Sequence, residues 1–167
     1  MLIIFGGLPG VGKTAIAAEL ARLTGALHIR IDSIEQAIRA SGVVSQPIDD
    51  VGYRVAYAVA EDNLRIGRTV IADSVNPLHL TRQAWAAVAN RARVKAIEIE
   101  VTCSDGNEHR RRVETRTSDI PGLKLPAWGE VIGREYHRWD GEHLVIDTAD
   151  RTIEQNVAAI RQVLTER

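Results

Sequence analysis

The chain of 167 residues lacks the features that mark a secreted, membrane-bound or nucleic-acid-coating protein. It has one cysteine, Cys103, so no internal disulfide framework can form, and the thiol's place at the end of an apolar run predicts an inert strand residue. Its first residues have no basic n-region, and Gly6-Gly7 cuts the opening apolar run short. Neither a signal peptide nor a membrane span is expected, and the cytoplasm is the expected compartment. No charge sign dominates: 21 Lys and Arg face 22 acidic residues, which leaves no general field to hold nucleic acid or an anionic membrane. Cationic chemistry has to be local. The five histidines, at 28, 79, 109, 137 and 143, show no metal-ligand spacing. Repeats, low-complexity tracts and dividing linkers are absent, which predicts one domain over residues 1–167.

What the chain does have is Gly7-Leu8-Pro9-Gly10-Val11-Gly12-Lys13-Thr14, a match to G-x-x-x-x-G-K-[ST] at every fixed position. The apolar run Leu2-Ile3-Ile4-Phe5 before it reads as a buried strand, and Ala15 to Leu23 after it reads as a helix. Strand, glycine-rich loop and helix in that order make an anion cradle. Glycines let backbone N–H groups crowd around a polyphosphate, the helix start adds partial positive charge, Lys13 adds a full one, and Thr14 offers a hydroxyl to Mg²⁺. ATP and Mg²⁺ are therefore the expected cofactors.

The rest of the chain alternates strands with helices. Leu27 to Ile31 predicts a second strand ending on Asp32, which with Glu35 has capping-box spacing for a helix from about Ser33 to Ala40. Residues 41–50 read as a connection or flap. From Val51, apolar residues at 51, 55 and 59, with Leu64 beyond, predict a long helix buried on that side, with Tyr53, Arg54 and Tyr57 on the other; Gly67 ends it. Thr69 to Asp73 is a buried strand finishing on an acid, the arrangement that holds Mg²⁺ or its waters beside a phosphate loop. Asn76-Pro77 predicts the start of a helix running to about Ala92. Val94 to Cys103 predicts a fourth strand. Asp105 and Glu108 then cap a helix carrying Arg110, Arg111, Arg112 and Arg116. Residues 117–127 hold two prolines and a glycine and read as a loop, Trp128 to Trp139 as a helix, and Leu144 to Asp147 as a fifth strand. Thr152 and Gln155 cap a last helix built on Ile153, Val157, Ile160 and Leu164. Five short apolar strands separated by helices predict an α/β fold of three layers, a five-stranded parallel sheet with helices on both faces.

A phosphate loop does not say what receives the phosphoryl group. The guanine-reading Asn-Lys-x-Asp motif is absent, which argues against a GTPase switch, and the small size argues against the extra helical domain of ring-forming ATPases. The arginine helix and its Pro/Gly loop point to a kinase. In Gly7 to Thr14, Ile31-Asp32-Ser33-Ile34, Val70 to Asp73, Arg112 and Arg116, and Ile146-Asp147-Thr148, the chain resembles the small P-loop kinases of the nucleotide, shikimate and gluconate kinase type. It resembles more closely the group of chloramphenicol phosphotransferase and the zeta-toxin-like kinases. The resemblance implies a lid over about residues 112–127 whose arginines close over ATP. It implies that Asp32 orients or deprotonates the acceptor hydroxyl, that Arg112 and Arg116 meet phosphate or adenine, and that Asp147 and Thr148 lie at the nucleotide. With Lys13 neutralising phosphate and with Thr14 and Asp73 at the metal, the expected reaction is transfer of the γ-phosphoryl group to a hydroxyl of a small molecule. A nucleotide or polynucleotide-end kinase, with Arg39 and Arg54 gripping an acceptor phosphate, and an ATP-binding sensor without transfer activity are the competing readings.

Overall fold

The computed structural model describes residues 1–43 and 49–166; the middle of the expected flap at 41–50 thus lies outside the described residues. Strand β1 (Leu2–Gly6) is the middle of the sheet, and the phosphate loop leaves its carboxyl end to enter helix α1 (Lys13–Thr24). The chain continues through β2 (Leu27–Arg30), α2 (Ile31–Ala40), α3 (Val51–Arg65), β3 (Val70–Asp73), α4 (His79–Ala92), β4 (Ala96–Thr102), α5 (Gly106–Thr115), α6 (Trp128–Ile132), β5 (Leu144–Asp147) and α7 (Ile153–Glu166). The five strands lie in the order β2-β3-β1-β4-β5, and every pair is parallel. This is the fold expected.

Register explains why the chemistry gathers at one edge. Phe5 stands opposite Asp73, Asp73 opposite Arg30, Gly6 opposite Glu100 and Thr102 opposite Asp147, so all five strands end along one line. In open α/β sheets that edge is where ligands bind. A strand buried on both faces must be apolar throughout, and β1 divides accordingly. Ile3 and Phe5 pack with Ile16, Leu20, Val157 and Ile160 of α1 and α7, whereas Leu2 and Ile4 pack with Ala56, Leu64, Trp85 and Val88 of α3 and α4.

Four local expectations are corrected. In α3 the buried face is Gly52, Ala56, Ala60 and Leu64, while Val51, Val55 and Val59 are exposed. Small residues let α3 approach α2 so closely that a β-carbon on Gly52 would lie 2.4 Å from Glu35 Cγ, and Tyr57 fills the adjacent space by meeting Trp85 edge-on with centroids 4.6 Å apart. Asn76 and Pro77 do not start α4, which begins at His79. Asn76 is in a left-handed conformation with φ 46, and its buried amide donates to the Phe5 carbonyl at 2.6 Å. The expected helix from Trp128 to Trp139 stops at Ile132, because Tyr136 and Trp139 are drawn onto the sheet. The Tyr136 hydroxyl donates to Glu100 at 3.1 Å, and Trp139 packs beneath the Arg82 guanidinium at 4.8 Å. Asp32 does not cap α2; that helix starts one residue before it, after Arg30, and makes no side-chain cap. The signals at Asp105, which accepts from Asn107 N and Glu108 N, and at Thr152 with Gln155 form as expected. Cys103 lies just past β4, half-buried and unpaired, and burial raises its thiol pKa.

Candidate active site

The loop from Gly7 to Thr14 holds its shape through backbone geometry that side chains would block. A β-carbon on Gly7 would stand 2.1 Å from the Val101 carbonyl, and Gly12, at φ 98, hands the loop to α1 through a left-handed turn. From outside, the loop is tied to two neighbours. The Thr148 hydroxyl lies 2.9 Å from the Val11 carbonyl it donates to, and His109 Nε2 is 2.9 Å from the Pro9 carbonyl. Neither tie could be read from spacing, because both partners are about a hundred residues or more from the loop.

Lys13 is the first residue of α1 and is buried, with Nζ donating to the Leu8 carbonyl at 3.0 Å. Burial pulls its pKa down to about 8, against the opposing pull of Asp73 and then Asp32. Asp73, at the end of β3, is 3% exposed and lies 3.2 Å from His28 Nε2 on the adjacent strand. Thr14 is the next helical residue and faces the same space.

That space is a cavity of about 870 Å³ at the carboxyl edge of the sheet. Its floor is the phosphate loop, including Pro9, Gly10, Gly12, Lys13 and Thr14; one wall is the α2 face with Asp32, Glu35 and Arg39; Asp73 stands at the back. The segment 116–126 closes the opposite side and brings Arg116 and Lys124, with Arg134 entering beyond it. Burial presses the Arg116 pKa downward, Asp32 opposes this, and Nε and Nη2 of that guanidinium are buried without a hydrogen-bond partner. A buried donor pair left open is costly unless something accepts from it. The donor set therefore suits a polyphosphate and its metal: loop amides, the ammonium of Lys13, the hydroxyl of Thr14, a buried carboxylate at Asp73, and an unspent guanidinium.

The expected site residues divide into two groups. Lys13, Thr14, Asp32, Asp73, Arg112 and Arg116 line the cavity together with Pro9, Gly10 and Gly12. Gly7, Leu8, Val11, Asp147 and Thr148 are not among its lining residues. Asp147 accepts from Ser104 N at 2.9 Å and Ala149 N at 3.1 Å, which holds its carboxyl below the usual range and fixes the turn that carries Thr148. Arg112 is engaged: Nη2 donates to Glu108 at 2.5 Å and to the Thr148 carbonyl at 3.0 Å, and Nη1 to the Thr148 hydroxyl at 2.8 Å. Arg54 is paired with Asp50 and three-quarters exposed, away from the cavity, and Arg82 is buried in packing. Arg39 lines the cavity, paired with Glu35 at 3.0 Å. Sequence reasoning passed over Arg134, Arg30 and His28. Arg134 follows a helix that ends earlier than expected, and the other two lie on a short strand where alternation gives no hint of a polar site.

Residues 2–124 match the family described as an AAA domain. The chain is 26% identical over 158 residues to the ATP-dependent protease ATPase subunit HslU of Bartonella tribocorum (strain CIP 105476 / IBS 506), covering 81% of this chain but 34% of that protein, so it spans about a third of the relative's length. Among solved structures, a sugar kinase from Janibacter sp. HTCC2649 superposes with TM-score 0.72 at 15% identity, covering 98% of this chain and 94% of the other. Kti12 of Chaetomium thermophilum, in complex with ADP-AlF3, superposes with TM-score 0.67 at 24% identity, covering 97% and 98%. The fold is that of the small P-loop kinases.

Proposed function

The chain belongs to the AAA domain family, and we propose that its cavity is the active site of an ATP-dependent phosphotransferase acting on a hydroxyl group of a small molecule. The observation that carries this reading is the convergence of Lys13, Asp73, Asp32 and the unpartnered Arg116 guanidinium on one cavity of about 870 Å³. A nucleotide-hydrolysing motor needs the first two; a carboxylate across the space, on a separate wall, suits an acceptor hydroxyl. The solved relatives point the same way: one is a sugar kinase, and another holds ADP-AlF3.

In this reading the loop amides and Lys13 hold the β- and γ-phosphates. Thr14 and Asp73 would hold Mg²⁺, which when bound would neutralise phosphate charge. The acceptor oxygen attacks the γ-phosphorus as the bond to the β,γ-bridging oxygen breaks, ADP leaves, and Asp32 takes the hydroxyl proton. Asp32 is suited to this because it lines the cavity from the first turn of α2, a helix that starts one residue before it and does not use it as its cap. Arg116 then donates to the phosphoryl oxygens in flight. Its engagement with phosphate would satisfy the buried nitrogens that lack partners.

The test is a screen of ATP consumption with pooled hydroxylated metabolites, nucleosides and oligonucleotides, run with the Asp32→Asn variant beside the wild type. Transfer to a small hydroxylated compound, lost in the variant, is the expected result. Stimulation by oligonucleotides alone, or equal turnover in the variant, would overturn the reading.

A further inference from the structure

Resting on that reading, we infer that the acceptor carries an apolar arm, and that this arm leaves the catalytic cavity through the Arg30–Asp119 ion pair to lie in a groove along the free edge of β2. A second cavity, of about 550 Å³, adjoins the first. Its sides are Leu27, Ile34, Val55 and Val59, and its polar floor is His28, whose imidazole is already committed to Asp73. The two cavities share Thr14, Ala18, Arg30 and Asp119. The two spaces meet at a contact between two of these shared residues.

That contact is the pair of Arg30 Nη1 and Asp119 Oδ2 at 2.7 Å, which ties β2 to the lid segment. It is built to open. Asp119 is 73% exposed, and exposed ion pairs contribute little because water solvates the separated charges nearly as well. Arg30 is the better-buried partner, and its Nε has no hydrogen-bond partner even with the pair closed, so the guanidinium has a donor to spare. A further tie between lid and α2, Gln36 Nε2 to the Pro121 carbonyl, is 3.3 Å long.

The groove accounts for an otherwise unexplained feature of α3. Val55 and Val59 are each 41% exposed, one helical turn apart, although the opposite face of the helix supplies the core with small residues. Leu27 and Ile34 extend the same apolar strip from β2 and α2 towards the catalytic cavity. Arg30 and Asp32 are two residues apart at the corner between β2 and α2, so a hydroxyl held by Asp32 is within a short arm's reach of the partition. A polar head in the charged cavity and an apolar tail against valines match the character of each space.

The test uses ethanol, 1-butanol and 1-hexanol as probes, added to the whole protein with Mg²⁺ and a non-hydrolysable ATP analogue, and followed through methyl NMR shifts. The expected result is perturbation of the Leu27, Val55 and Val59 methyls, with the dissociation constant falling about three- to fourfold for each added methylene. Asp119→Ala should strengthen hexanol binding several-fold and leave ethanol unchanged. Val59→Asp, at a position exposed enough to accept a carboxylate, should abolish the chain-length dependence without altering binding of the nucleotide analogue. Chain-length independence, or the same dependence in Val59→Asp, would overturn the inference. So would shifts of these methyls that follow protein concentration without any probe, since that would assign the groove to a second copy. Intact chain-length dependence in a protein with no phosphoryl transfer to any acceptor would overturn the kinase reading alone.

Discussion

Arg112 grips Thr148 at two points, donating to its hydroxyl at 2.8 Å and to its carbonyl at 3.0 Å, and the same hydroxyl lies against the Val11 carbonyl in the phosphate loop. Arg112 therefore lines the cavity and also braces Thr148, which supports the loop. Thr148→Val keeps the shape and removes the hydroxyl. It should cost about 1–3 kcal/mol of stability, since it leaves the buried Val11 carbonyl without its donor, and it should weaken ATP binding by loosening the loop. Arg112→Gln should do much the same. If the two residues act as one support, the double variant should show a coupling of about 0.5–3 kcal/mol in denaturant titrations. Additive losses would mean that Arg112 meets the nucleotide independently.

The roles of Lys13 and Asp32 separate by measurement. Lys13→Ala should remove the heat of Mg-ATP binding in calorimetry, because in the proposed reaction its ammonium, on the cavity floor beside the loop, meets the phosphates. Asp32→Asn should leave ATP binding in place and lower kcat by about 10²–10⁴, the usual worth of a positioned proton acceptor. Loss of nucleotide binding in Asp32→Asn would assign that carboxylate to the metal side of the cavity.

Lys13 also gives a pH dependence whose sign is fixed. Its folded pKa of about 8 lies below its ordinary value, so between the two the unfolded chain holds a proton that the folded chain has lost. Stability of the nucleotide-free protein should therefore rise with pH above about 8, by at most about 1.4 kcal/mol per unit from this group. Below pH 8 the burial penalty is fully present. Lys13→Met should thus be the more stable protein at pH 7 and should lose that advantage as pH approaches 10, as read from urea midpoints of both proteins across the range. A difference that does not change with pH would mean the ammonium is better solvated than its position suggests.

Arg116 should behave differently from Arg112. Its buried Nε and Nη2 lack partners, so Arg116→Ala removes a group the nucleotide-free fold does not satisfy and should leave stability unchanged or raise it. The same variant should lower kcat by about 10³, the lower end of what an arginine aimed at a transferring phosphoryl group contributes. Arg116→Lys should not restore it, because a point charge cannot reproduce the planar fork.

The parts of the fold legible in the sequence were those in which local pattern and global packing agree. Leu2 to Phe5, the loop at Gly7 to Thr14, and the capped helices after Asp105 and Thr152 all lie where spacing places them. Tertiary packing overrode local pattern elsewhere. The valines of α3 repeat at helical spacing and would read as core, yet Gly52, Ala56 and Ala60 give closer approach and take the buried face. Asn76-Pro77 carries a helix-start signal, but Asn76 takes a left-handed conformation that turns its side-chain amide N–H to the Phe5 carbonyl. That Lys13, Thr14, Asp32 and Asp73 would share one cavity was legible because each stands in the motif or at a strand's carboxyl end, while Arg134 and the Arg30–Asp119 pair depend on how distant segments meet.

Arg82 shows how such a meeting can be tested. As an arginine on a helix near the expected pocket it resembles a substrate grip, but it is 5% exposed and donates to three backbone carbonyls, those of Asn76 at 3.1 Å, His137 at 3.2 Å and Arg138 at 3.1 Å. It also stacks over Trp139, whose ring occupies the space a β-carbon on Gly6 would enter. The guanidinium thus pins the segment 137–139 to the chain that leaves β3. Arg82→Ala would orphan those carbonyls and unseat the indole, and each buried carbonyl left without its donor costs about 1–3 kcal/mol. Arg82→Lys should recover only part, since one ammonium cannot serve three carbonyls fixed around a planar group. Thermal unfolding of the three proteins measures this order. If Arg82→Ala unfolds like the wild type but raises the KM of an acceptor, Arg82 belongs to the substrate and the packing account fails.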